Sequence, residues 1–184
     1  MLNKLMKKYV IHFVGYSCTG KSALEKALKE KLPGWYVVSY DKLKWQLAGY
    51  DRTKDAKLIK EITKGLFEVI CKLGNSILAL AMISTEEEYV YYKQIATQYE
   101  YEFISIEVTA PKEVLLARFR ERVKTAKLMK STTLSVTDES VFLENISKPF
   151  FIPQNITSFD TSILKPEEIA EKIIEQLGNN GATC

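Results

Sequence analysis

The chain has 184 residues, with 46% apolar residues, 27% charged residues and a formal net charge of +3. These values are typical of one globular domain with a full core, and they argue neither for nor against nucleic-acid binding. No apolar run approaches the roughly 18 residues of a membrane-spanning helix. The three cysteines, Cys18, Cys71 and Cys184, lack paired spacing, which predicts no disulfide partner, no zinc knuckle and a reducing cytoplasmic location.

Strand-like and helix-like segments alternate along the whole chain. Apolar, β-rich runs predict strands over 9–14, 35–39, 76–83, 103–108 and 156–162. Helical periodicity predicts helices over 21–32, 41–48, 54–73, 87–99, 111–124 and 166–177, with another beginning after Thr137 or Asp138. This alternation predicts a parallel sheet with helices on both faces, and ligands bind such sheets beyond the carboxyl ends of the strands.

The predicted helix over 54–73 carries more apolar residues than its neighbours. Its periodicity predicts inward-facing side chains at Leu58, Ile59, Ile62, Leu66, Phe67 and Ile70.

Residues 15–22, here called the glycine loop, lie between the first strand and the first helix. Glycine permits positive φ, so Gly15 and Gly20 allow backbone N–H groups to turn inward toward phosphate oxygens. Lys21 would reach the β- and γ-phosphates, and the Ser22 hydroxyl would contact Mg²⁺. The spacing predicts a nucleoside triphosphate site with magnesium. Its binding residues are Gly15, Tyr16, Ser17, Cys18, Thr19, Gly20, Lys21, Ser22 and Ala23, with Cys18 interpreted as a small space-filling side chain.

Asp41 follows the second strand and is predicted to face the same crevice. A carboxylate there would accept a proton from an attacking hydroxyl or hold a magnesium-bound water. The alternative is that Asp41 only caps the short helix. The single histidine, His12, is predicted to be buried within a strand. Lys44, Trp45 and Arg52 would contact an anionic or ring-containing substrate, although Trp45 fits the core equally well.

The predicted helix over 111–124 is rich in arginine. Arg118 and Arg122 are four residues apart and therefore on one face. We expect Arg118 to contact adenine or phosphate, Arg122 to stabilise transition-state charge and Arg120 to face away, the alternative being a solvated basic face. Residues 123–136 are predicted to form a mobile lid. The boundaries expected are a single domain over 1–178 and a flexible tail over 179–184.

Four stretches resemble the P-loop kinases: "GYSCTGKS", "VVSYDKLKWQL", "APKEVLLARFRER" and "FDTS". The chain looks closest to the branch of polynucleotide 5′-hydroxyl kinases, zeta-toxin-like kinases and predicted small-molecule kinases. The resemblance implies a three-layer α-β-α fold, a five-stranded parallel sheet of order 2-3-1-4-5 and a lid after Arg122. It also implies transfer of the ATP γ-phosphate to a hydroxyl that Asp41 activates, with Thr161 and Ser162 near the adenine.

One departure from that family lies at the end of the third strand, where an acidic residue is usual. Ala81 and Met82 occupy this place, and Glu86 to Glu88 follow several residues later, in the first turn of a helix. The expected activity is phosphate transfer to a small molecule or to a nucleic-acid 5′ end. The alternatives are a nucleoside monophosphate kinase and a nucleotide-binding regulator without catalysis.

Overall fold

A computed structural model describes residues 7–131 and 134–181. Within these ranges the strands are β1 (Lys8–Val14), β2 (Tyr36–Ser39), β3 (Ile77–Leu80), β4 (Tyr101–Thr109) and β5 (Thr157–Asp160). The helices are α1 (Lys21–Lys31), α2 (Tyr40–Lys44), α3 (Arg52–Leu73), α4 (Glu86–Gln98), α5 (Lys112–Leu128), α6 (Glu139–Ser147) and α7 (Pro166–Gly181). None of these helices is long and apolar enough to cross a bilayer.

The five strands form one parallel sheet in the order β2-β3-β1-β4-β5, which confirms the expected topology. Val10 of β1 pairs with Ile77 of β3 on one side and with Phe103 of β4 on the other. The chain passes from β1 toward β2 and β3 on one side of the sheet and later reaches β4 and β5 on the other side. In this architecture the ligand crevice forms where the strand order reverses, at the carboxyl end of β1.

Two hydrophobic clusters cover the two faces of the sheet. On one face Ile11 and Phe13 of β1 pack with α1 and α7, and on the other Val10 packs with α3 and α4. Because side chains alternate along a strand, adjacent β1 residues supply opposite clusters. The three-layer α-β-α class is confirmed. A third cluster joins α5 to α6, where the Phe119 and Phe142 rings stack at 4.2 Å.

The inward face predicted for α3 is wrong at two positions. Leu58 is 49% exposed and Ile62 is 45% exposed. Thr63 is buried instead, and its hydroxyl donates to the Ile59 carbonyl, so a polar residue lies on the core side without an unpaired group. Apolar residues occupy a wider part of the α3 surface than the part that packs against the core. Periodicity alone therefore does not identify which apolar residues are buried.

Several helix ends differ from the sequence-based boundaries. The helix α5 reaches Leu128, so residues 123–128 of the predicted lid are helical, and Thr132 and Thr133 of that lid lie outside the described residues. The helix α7 continues to Gly181 rather than ending at Leu177. The last three residues of the predicted tail, 182–184, also lie outside the described residues.

Candidate active site

The glycine loop joins β1 to α1 and its shape depends on two glycines. Gly15 has φ +139°, and a Cβ there would overlap the Val108 carbonyl oxygen. Gly20 precedes α1 with φ +101°. Among the described residues, none accepts a hydrogen bond from the backbone N–H groups of residues 17–22. These donors and the positive end of the α1 dipole suit a phosphate group, which supports the predicted triphosphate site.

Lys21 is near the end of the glycine loop, and its side chain folds back over the start of that loop. Its Nζ donates to the carbonyl oxygens of Gly15 and Tyr16, each at 2.5 Å. Burial lowers the pKa of Lys21 to about 8, the neighbouring Asp41 carboxylate opposes this shift, and Arg122 adds to it. Asp41 and Arg122 therefore each lie near enough to Lys21 to influence its charge.

Arg118 of α5 and Thr161, which follows β5, support the glycine loop. The Arg118 guanidinium donates to the Thr161 hydroxyl at 2.7 Å, to the Thr161 carbonyl at 2.8 Å and to the Cys18 carbonyl at 3.3 Å. The Thr161 hydroxyl donates to the Thr19 carbonyl at 2.7 Å. Arg118 and Thr161 thus support the loop directly, whereas Ser162 is exposed and bonds Asp160.

The sequence did not predict a second set of contacts that supports the glycine loop, formed by Tyr16 with residues 148–150. The Tyr16 hydroxyl donates to the Lys148 carbonyl at 2.8 Å, and the Tyr16 and Phe150 rings meet edge to face at 4.5 Å. Residues 148–150 have no motif of their own, and only the fold brings them to the loop.

Asp41 lies in the first turn of α2, directly after β2. The cap of this helix is Ser39, whose Oγ accepts from the Lys42 N–H, so the interpretation of Asp41 as a simple cap is wrong. Lys42 also donates to both oxygens of the buried Glu25 at 2.8 and 2.7 Å. This pair ties α2 to α1 and thereby holds Asp41 beside Lys21.

Lys44 binds the Asp41 carboxylate and links it to a distant part of the chain. Its Nζ pairs with the Asp41 carboxylate and donates to the Ser135 hydroxyl at 2.8 Å. Only 8% of the Lys44 side chain is exposed, and its ammonium lies 5.3 Å from the Trp45 ring centroid. A buried ammonium is stable only with such partners, so Lys44 joins α2 to the segment after α5.

Aromatic rings line the region next to Lys44. Trp45 is half-buried and meets Tyr50 edge to face at 6.0 Å, and the Tyr40 and Tyr50 hydroxyls lie 3.1 Å apart. Burial and the Tyr50 hydrogen bond raise the pKa of Tyr40 to about 12, and the Arg52 charge partly opposes them. Arg52 is exposed at the start of α3, so Lys44, Trp45 and Arg52 lie around the same group of tyrosines.

A cavity of about 410 Å³ lies between α5 and the segment that follows it. Arg118, Arg122, Met129 and Leu134 are among its lining residues, and its volume is within the range of small-molecule sites. Arg120 lies elsewhere and forms an exposed ion pair with Glu139, so it faces away as predicted.

The end of β3 supplies no carboxylate to the crevice. Ala81 is exposed with φ +54°, and Met82 is 5% exposed. Glu88 is engaged in the first turn of α4, where it binds Lys60 and Ser84. Across the described ranges no three His, Cys, Asp or Glu residues form a metal-binding group. The exposed hydroxyl of Ser22 and the carboxylate of Asp41 are the groups that fit a magnesium ion beside phosphates.

His12 lies in the middle of β1, next to the Phe103 and Tyr89 rings. Burial lowers its pKa to about 3, so His12 stays neutral at physiological pH. It is a core residue, as predicted, and lies away from the proton-transfer chemistry.

Comparison with known proteins gives a family and a fold. Residues 10–140 match the family described as AAA domain, which is more than two-thirds of the chain. A protein of Chloroflexus aurantiacus assigned to the kinases is 17% identical with a TM-score of 0.71, covering 92% of this chain and 98% of that one.

Two further solved structures are similar. APS kinase CysC of Mycobacterium tuberculosis, solved with AMPPNP and APS, is 17% identical with a TM-score of 0.65, over 94% of this chain and 98% of that one. Shikimate kinase of Aquifex aeolicus is 16% identical with a TM-score of 0.54, over 95% and 99%. No curated protein matches by sequence. From the match over residues 10–140, the chain belongs to the AAA domain family, and its strand order gives it the fold of these solved kinases.

Proposed function

We propose that the protein is an ATP-dependent phosphotransferase that moves the γ-phosphate of ATP to a hydroxyl of a small molecule. One observation carries the proposal: the backbone N–H groups of residues 17–22 have no acceptor among the described residues, and Lys21 lies beside them with its Nζ on the Gly15 and Tyr16 carbonyls. Asp41 follows β2 in a helix that the Lys42–Glu25 pair ties to α1, and Arg122 lines the cavity beside α5. A base, a phosphate-binding lysine and an arginine in one crevice are the groups that phosphoryl transfer needs.

In the proposed reaction the acceptor oxygen attacks the γ-phosphorus and the bond to the β-phosphate oxygen breaks. ADP leaves, and Asp41 accepts the hydroxyl proton. Lys21 and Arg122 stabilise the negative charge that spreads over the phosphoryl oxygens. Arg118 holds the loop in shape, and Thr161 and Ser162 lie on the side proposed for the adenine.

A magnesium ion would offset phosphate charge during transfer, as in other P-loop enzymes. Ser22 and Asp41 are the residues proposed to hold it. Because Ala81 and Met82 are the residues that follow β3, the proposed enzyme has one fewer acid for this task than the family pattern.

The acceptor is proposed to be a small molecule. The names of two structural neighbours, APS kinase and shikimate kinase, support this class over a nucleic-acid 5′ end. A nucleoside monophosphate kinase is less well supported, because Arg52 is the one arginine among the residues proposed for the acceptor. A regulator without catalysis is the remaining candidate, which the missing acid at Ala81 and Met82 favours.

A reducing cytoplasm is the proposed location. Cys18 and Cys71 are free thiols, and burial raises the pKa of Cys71 to about 12. Such a thiol resists oxidation and metal binding, which agrees with a chain that carries no disulfide among its described cysteines.

The direct test is a screen of hydroxyl acceptors with γ-labelled ATP: sugars, nucleosides, amino alcohols, nucleoside monophosphates and oligonucleotide 5′ ends. We expect transfer to one small-molecule class. Asp41→Asn should lower kcat by about 10²–10⁴-fold with ATP binding retained, because the proton acceptor is lost while the amide oxygen can still face the magnesium ion.

Asp51→Asn is the matched control, since Asp51 caps α3 by accepting from Thr53 and asparagine caps equally well. It should retain full activity. ATP binding without transfer to any acceptor would support the regulator instead, and full activity of Asp41→Asn would remove Asp41 from the mechanism.

A further inference from the structure

The helix α3 carries an exposed apolar stripe that the core does not use. Its members are Leu58, Ile62, Val69 and Leu73, exposed by 49%, 45%, 53% and 73%. At 3.6 residues per turn these four positions fall within about 60° of one another around the helix axis. Four large apolar side chains on one side of a surface helix are typical of a contact with another protein surface.

Gly65 lies at mid-length of the same side of α3. A Cβ at Gly65 would have no atom within 4 Å, so packing within the described chain does not require a glycine there. Glycine is a poor helix former in a helix interior, which makes this position unfavourable for the isolated helix. A small residue at the centre of an apolar stripe does, however, allow the backbone of another helix to approach closely.

The stripe is complementary to itself when one copy of α3 is turned end to end. For a two-fold axis that passes between Gly65 and Leu66, Leu58 lies opposite Leu73 of a second copy and Ile62 lies opposite its Val69. The glycine falls at the crossing point. This pattern is the isologous contact of a two-fold dimer, in which each residue meets its complement twice.

The charged residues beside the stripe fit the same arrangement. Glu61 and Lys72 lie on the same flank of α3, and a two-fold axis brings that flank against its own copy. Glu61 then lies within two residues, about 3 Å along the axis, of Lys72 in the second copy. Opposite charges therefore meet twice across the contact.

We propose that this protein forms a homodimer in which the α3 helices pack antiparallel through Leu58, Ile62, Gly65, Val69 and Leu73. The helix of 22 residues spans about 33 Å, and the contact runs along it from Leu58 to Leu73. The amino-terminal ends of the two α3 helices, where Arg52 lies, are then at opposite ends of the contact. The candidate active site of each protomer then stays open to solvent. The proposed dimer does not depend on the proposed kinase reaction.

Sedimentation equilibrium over a range of protein concentrations, with the full chain, tests the contact. The wild type should show a reversible monomer–dimer equilibrium. Val69→Glu should raise the dimer dissociation constant at least about tenfold, because it buries a charge without a partner. Val141→Glu is the matched control on α6, where the valine is 43% exposed, and it should dimerise like the wild type.

A charge exchange tests the antiparallel arrangement itself. Glu61→Lys alone places two lysines together, and Lys72→Glu alone places two glutamates together, so each variant should dimerise more weakly than the wild type. In an equimolar mixture of the two variants, the mixed dimer has lysines on one helix and glutamates on the other at both contact points. Opposite charges then meet again, so the mixture should dimerise more strongly than either variant alone.

Circular dichroism melting of each variant will verify that the substitutions leave the monomer folded. A wild type that stays monomeric at every concentration would overturn the proposal, as would a dimer unaffected by Val69→Glu. A mixture of Glu61→Lys and Lys72→Glu that associates no better than its components would overturn the antiparallel contact.

Discussion

The two sides of the crevice are built in different ways. On the nucleotide side, residues 15–22 use backbone N–H groups, and two glycines set their directions. On the acceptor side, Asp41 is held by side chains, with Lys44 and Ser135 contacting each other across 91 positions of sequence. The first side is defined by a short stretch of chain, and the second exists only when distant segments meet.

This difference predicts unequal tolerance to substitution. A backbone cradle with a carbonyl group against Gly15 cannot accept even one added carbon. The side-chain contacts of Asp41 relax more easily, because Asp41 is 62% exposed and water can replace a partner that it loses. We therefore expect nucleotide binding to fail abruptly and acceptor binding to change gradually.

The largest expected effect is that of Gly15→Ala. Its Cβ would overlap the Val108 carbonyl, and the positive φ disfavours alanine, so unfolding free energy should fall by about 3 kcal/mol or more with loss of ATP binding. Gly49→Ala is the control on the acceptor side, with φ +69° but open space around a Cβ. It should cost about 1 kcal/mol. Chemical denaturation and ATP titration measure both, and equal losses would contradict the contrast.

A smaller effect is expected for Lys44→Met. Methionine preserves the contacts with the rings of Tyr40 and Trp45 but removes the ammonium that binds Asp41 and Ser135. The value of kcat/KM for the acceptor should fall about tenfold, the size expected for one charge-assisted hydrogen bond. ATP affinity should change less than about twofold, because the phosphate site is untouched. A parallel loss of ATP affinity would mean that the two sides are not separable.

The smallest expected effect is a proton linkage on the nucleotide side. Burial holds the pKa of Lys21 at about 8, so near pH 8 about half of the ammonium groups are deprotonated before ATP binds. Phosphate contact favours the charged form and raises this pKa, so binding at pH 8 should take up about half a proton, and affinity should fall as pH rises from about 7 to about 9. Calorimetry in buffers of different ionisation enthalpy measures the uptake. Lys21→Arg should show none, because a guanidinium stays protonated.

The sequence was sufficient for the fold and for the place of the glycine loop between β1 and α1. Five apolar runs alternate with amphipathic ones, and the glycine spacing lies in the context of strand and helix that it requires, so local pattern and global architecture agree. The approximate position of Asp41 also followed from its place after β2, and its catalytic role stays a prediction.

The supports of the site could not be predicted in the same way. Glu25 and Lys42 are 17 positions apart, and Tyr16 and Lys148 are 132 apart, with no pattern that connects either pair. Their contacts depend on how helices pack on the sheet. The exposure of Leu58 and Ile62 has the same origin, since periodicity reports that a helix is amphipathic but not which apolar side chains reach the core.

Calorimetric titration of the protein with ATP and magnesium tests the phosphate site at the glycine loop. We expect saturable binding of one ATP per chain that is lost in Gly15→Ala and retained in Asp41→Asn. The absence of binding heat in the wild type at millimolar ATP, across several temperatures, would contradict the phosphate site and every step built on it.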